Sequence, residues 1–166
     1  MRFPAVVAVA LAVAPAASAR TLTLNWVEKI SPAYGYPAMT FTVKTFTVNG
    51  ASWSVKGSVA NRSRGDVKIR LRGTPYGGPY AEYTFGVFIP SPCTKPGNVE
   101  CSDHSYATKW SPRVPSVLHP GQRWSGTFSG TKKLPRGKLL SIMFGYFASS
   151  VPKKDFAYVT QHEFKL

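Results

Sequence analysis

The feature that most constrains this chain is the run Trp53-Ser54-Val55-Lys56-Gly57-Ser58-Val59-Ala60-Asn61. Trp53, Val55 and Val59 alternate with Ser54, Lys56 and Ser58, the period of two that side chains follow on a strand with one dry face. The run ends in Asn61-Arg62-Ser63-Arg64-Gly65, a cluster of turn formers. Val67-Lys68-Ile69-Arg70-Leu71-Arg72 then alternates again, with a cation at every second position. Two neighbouring antiparallel strands, each apolar on one side, need a second layer over them, which predicts a β-sandwich.

The rest of the chain repeats the pattern. Thr21 to Val27 alternates, and so do Tyr83, Phe85, Val87 and Ile89 against their neighbours. Met39, Phe41 and Val43 share one parity while Phe46 and Val48 take the other, which predicts a bulge or a strand that changes sheet. Asn49-Gly50 signals a tight hairpin into the Trp53 strand. Later strands are expected over Gln122 to Phe128, over Lys138 to Phe147 (apolar enough to be central), and over Phe156 to Leu166. Residues 90–121 carry six prolines and read as a long loop, with a short strand around Tyr106 to Trp110. No stretch keeps a helical period.

The N-terminus reads as an address. Arg2 precedes an Ala/Val/Leu run that Pro15 breaks, and Ala17-Ser18-Ala19 is a small-x-small cleavage signal. The expected organisation is a cleaved signal peptide over 1–19 and one domain over 20–166, secreted or extracytoplasmic, with no membrane span. Cys93 and Cys101 both fall in the exported part, so a disulfide is expected between them. The short loop it closes limits its effect to about 2.5 kcal/mol. Neither CxxC spacing nor a second pair is present to suggest a metal.

The stretch Trp53 to Ser63 and the later Leu118-His119-Pro120-Gly121-Gln122-Arg123-Trp124-Ser125-Gly126-Thr127-Phe128 together resemble bacterial secreted immunoglobulin-like domains of the FxLYD type and their relatives. In those domains a G-x-V-x-N-x-S strand end accompanies a later L-x-P-G before a strand. The resemblance implies an accessory or interaction module and carries over no site residues. With it, the expected fold class is all-β, an immunoglobulin-like β-sandwich of about 7–9 mostly antiparallel strands.

Three groups of residues are candidates for function. Lys68, Arg70 and Arg72 form a cationic stripe, with Arg62 and Arg64 before it and Lys132, Lys133, Arg136, Lys138, Lys153 and Lys154 elsewhere. The formal charge of +14 draws polyanions at low salt; a stripe of this kind also serves as a solvated face that blocks edge pairing. Tyr34, Tyr36, Tyr76 and Tyr80 sit in two Pro/Gly loops, where rings either stack on a ligand or fold back over the core. Ser102-Asp103-His104-Ser105 contains the residue types of a hydrolase, but neighbours on an extended segment point apart and a triad is built from distant parts of a chain. His119 and His162 are isolated, and Asn61-Arg62-Ser63 matches a glycosylation acceptor.

These readings converge on a secreted, non-catalytic binding or structural module of the cell envelope, or a polyanion- or glycan-binding protein using the basic strand and tyrosine loops. An enzyme, a cofactor and a catalytic residue set are not expected. The expected partners are anionic cell-envelope polymers, glycans or another secreted protein. Nucleic acid is not expected, and the domain is expected to be a monomer.

Overall fold

A computed structural model describes residues 18–71, 85–90 and 103–166, the Tyr34 side chain excepted. In chain order the strands are β1 (Arg20–Ile30), β2 (Met39–Asn49), β3 (Ser52–Asn61), β4 (Val67–Arg70), β5 (Phe85–Ile89) and β6 (Asp103–Tyr106). Then follow β7 (Lys109–Ser111), β8 (Val117–Leu118), β9 (Arg123–Thr131), β10 (Leu139–Ser150), β11 (Lys153–Val159) and β12 (Phe164–Lys165). The fold is all-β: two antiparallel sheets form a sandwich.

One sheet has the order β1-β2-β3-β9-β7. Its hairpin between β2 and β3 pairs Asn49 with Ser52 and places Gly50 at the first loop position with φ 58°. That is the place a two-residue hairpin loop reserves for glycine. The phase change in β2 is a bulge, with a register shift between Val43 and Thr45. Exposed Lys44 is the extra residue, so Val43 and Phe46 both reach the core.

The other sheet is built on β10, whose residues Tyr146–Ser149 pair with β4 on one edge and with β11 on the other. Farther back on β10, Met143 pairs with Gly86 of β5 and, on the edge that carries β11, with Val159. β4 and β5 therefore lie end to end along one edge of β10, as a single line of strand interrupted by residues 71–84. Gly145, at φ 85°, marks the break, and a Cβ there would meet the Phe85 ring at 2.8 Å. β6 and β8 form the next line outward, pairing β5 and β4 respectively, and β11 and β12 share the opposite edge. Among the described residues the twelve strands thus form five lines in one sheet and four in the other, at the upper end of the expected number. The excess of strands over lines comes from the interrupted lines β4/β5, β6/β8 and β11/β12; β7 overlaps the short strand expected around Tyr106 to Trp110 and crosses to the first sheet.

Between the sheets Phe128 and Phe144 meet Phe85 edge-on at 5.1 and 5.8 Å, and Phe41 stacks on Tyr158 at 4.0 Å. Each fully buried ring is worth about 2–3 kcal/mol. Trp53 is buried and donates its indole N–H to Ser105 Oγ at 2.6 Å.

Two polar ties close the seam between the layers. Asn61 is wholly buried; its Nδ2 donates to the carbonyls of Gly65 and Leu118, each at 2.8 Å. Its Oδ1 accepts from the Ser63 amide and hydroxyl, and its carbonyl accepts from the Gly121 amide. The two sequence motifs noted above therefore meet in one knot, and the buried amide is closed to glycosylation in the folded chain. At the far side, Glu28 accepts from the Tyr158 hydroxyl and from the backbone amides of Gln161 and His162 at 3.1 Å. Burial, then the bonded carboxylate, pushes the Tyr158 hydroxyl well above the usual tyrosine range.

Candidate binding surface

The sandwich turns its two outer faces to solvent, and the cationic stripe lies on the β10 sheet. Val67 and Ile69 point inward, which leaves Lys68 exposed and Arg70 half-buried outside. Register places Lys68, Ala148 and Asp155 in one row, and Arg70, Tyr146 and Ala157 in the next. The Tyr146 hydroxyl lies 3.4 Å from Asp155 Oδ2. A carboxylate therefore stands two strands from Lys68 and offsets part of the stripe. Arg72, Tyr76, Tyr80, Cys93 and Cys101 lie outside the described residues, as do residues 1–17.

Of the other basic residues, Lys153 faces the same way one row beyond Lys68, while Lys132 and Lys154 are engaged elsewhere. Lys132 is held by Asp103, whose carboxyl that lysine draws below the usual range. Lys154 sits 5.2 Å over the Tyr36 ring. Tyr36 itself is half-buried and packs edge-on against Phe156 at 5.5 Å, closing the end of the core.

The residues of the hydrolase reading point apart. Ser105 faces inward to Trp53, Asp103 is tied to Lys132, and His104 lies on the outer face between Phe88 and Tyr106. Ser102 is outside the described residues. His119 pairs with Asp66 at 2.8 Å, and His162 packs on Trp26. Among the described residues no three His, Cys, Asp or Glu side chains gather as a metal site.

What the sequence reading missed is the outer face of the five-stranded sheet. Cross-strand pairing aligns Thr23, Thr45, Lys56, Thr127 and Ser111 in one row, and Thr21, Thr47, Ser54, Ser129 and Lys109 in the next. A third row holds Val27, Thr42, Ser58 and Ser125. The Thr21 and Thr47 hydroxyls are 2.9 Å apart, and Arg123 donates to Ser58 Oγ at 2.7 Å. The signal was visible strand by strand as alternating Ser and Thr; only the pairing makes it a surface.

No family model matches this chain, and no curated protein matches it in sequence. Among solved structures, the KRT10-binding region domain of the pneumococcal serine-rich repeat protein PsrP aligns with a TM-score of 0.34 and 10% identity. The alignment covers 86% of this chain and all of that one. Likeness at that level assigns neither a family nor a partner.

Proposed function

We propose that this chain is a non-catalytic binding module that works outside the cytoplasm and holds polyanionic partners on its basic surface. One observation carries the reading: among the described residues a single Lys or Arg, Lys132, ion-pairs with a carboxylate. Of the five acids among the described residues three are engaged elsewhere, Glu28 inside the seam, Asp66 with His119 and Asp103 with Lys132. The other described cations make no ion pair and most are exposed, which favours polyanions and raises their rate of encounter. The divergence of Asp103, His104 and Ser105 supports a role without chemistry, and the leader-like first nineteen residues support export.

The test is a binding isotherm of the purified protein with dextran sulfate across 50–300 mM salt. Affinity should fall steeply and linearly on logarithmic axes as counterions compete. Absent or salt-independent binding removes the reading.

A further inference from the structure

The outer face of the five-stranded sheet combines three properties. It is dense in hydroxyls, its rows being mostly Thr and Ser. Its exposed charges are Lys29, Lys44, Lys56, Lys109 and Arg123, and no Asp or Glu occurs anywhere in β2, β3, β7 or β9. Glu28, the acid of β1, is turned inward to Tyr158. The face is also relieved by shallow hollows. One of about 160 Å³ lies among Lys44, Lys56, Ser58 and Arg123. Two more, of about 230 and 510 Å³, adjoin at Lys109 and Ser129.

We propose that this face is a binding site for an acidic polysaccharide. The proposal deepens the polyanion reading above and rests on it. Each Ser or Thr hydroxyl both donates and accepts, which matches the hydroxyls of a sugar chain. The lysines and Arg123 meet the carboxylate or sulfate groups that recur along such a chain, and with no carboxylate on the face nothing repels them. The sheet extends about 19 Å from its first strand to its fifth at the usual spacing, long enough for several sugar rings. Single-stranded nucleic acid fits less well: it is held by exposed aromatic rings under its bases, whereas the outward rows here carry none and the two rings that reach the hollows, Trp53 and Trp110, are buried and half-buried. The β10 sheet offers the weaker alternative, because Asp155 shares the row of Lys68.

The experiment compares the unmodified protein with two variants, Lys44→Ser/Lys56→Ser/Arg123→Ser and Lys68→Ser/Arg70→Ser. Probes are polygalacturonate and dextran sulfate as carboxylated and sulfated polysaccharides, dextran as the neutral one, and single-stranded DNA. The triple variant should lose about tenfold or more in affinity for an acidic polysaccharide at low salt, with the other variant changed by less than about threefold. Because Arg123 also supports Ser58, Thr127→Glu provides a second probe: it leaves that bond intact, sets a carboxylate beside Lys56 and should weaken binding too. Thermal melts confirm that each variant is folded.

If polysaccharide binding persists in the triple variant and Thr127→Glu but is lost in Lys68→Ser/Arg70→Ser, this site is overturned while the polyanion reading stands. Tighter binding of DNA than of either acidic polysaccharide, or equal binding of neutral dextran, overturns the partner class. Failure of the unmodified protein to bind any acidic polymer overturns both.

Discussion

Asn61 and Lys56 stand five residues apart on β3, in two regions that treat polar atoms in opposite ways. At the seam, Asn61 and Glu28 are buried, and their polar side-chain atoms find partners within the protein. On the outer face of the five-stranded sheet, the hydroxyls and cations largely face water. The difference follows from burial: a polar group without a partner inside costs on the order of 1–3 kcal/mol, whereas outside water supplies one. Polar residues at the seam are thus committed to holding the layers together. Those on the face are left available to a ligand.

The comparison breaks most visibly at Asn61. Asn61→Ala strands the carbonyl of Leu118, leaves that of Gly65 with only the Ser63 hydroxyl, and should cost about 3 kcal/mol, lowering the melting temperature by roughly 10 °C. A drop under about 2 °C would mean that the knot contributes no more than the surface does.

Tyr158→Phe should cost about 1 kcal/mol by removing one donor from Glu28 while the two backbone amides remain. It also sharpens the comparison through pH. The folded pKa of Tyr158 is raised above its unfolded value near 10. Its stabilisation is therefore complete below about pH 10 and fades as pH rises toward the folded value. Urea unfolding at pH 8 and pH 10.5 should show a decline that is shallower in the phenylalanine variant; identical slopes would refute the clamp.

On the face, Thr127→Ala should change stability by less than about 0.5 kcal/mol. A larger loss in the same urea assay would show that the hydroxyl rows are structural after all.

Much of the architecture is legible in local pattern. The alternation of Trp53, Val55 and Val59, the Asn49-Gly50 hairpin and the phase change between Val43 and Phe46 each appear in the structure as read. The central place of β10 follows from its apolar run, since only a strand paired on both edges and packed on one face buries so much. Other features have no local mark. Nothing near Leu71 announces that β4 resumes as β5, because that continuity exists only through their shared partner β10. Nothing near Glu28 names Tyr158 as its donor, since the two lie on different sheets.

The candidate surface divides in the same way. Period-two spacing was enough to turn Lys68 and Arg70 outward together, but it could not show Asp155 in the same row. Nor could it show that the Thr and Ser of five separate strands become neighbours.

By itself the sequence determined which side of each strand is dry, because alternate residues must point to opposite faces of a pleated chain. Only the tertiary structure decided which strands lie side by side, and so which hydroxyls and cations share a surface. Register depends on hydrogen bonds between segments far apart in the chain, and on the fit of rings such as Phe85, Phe128 and Phe144 between the layers.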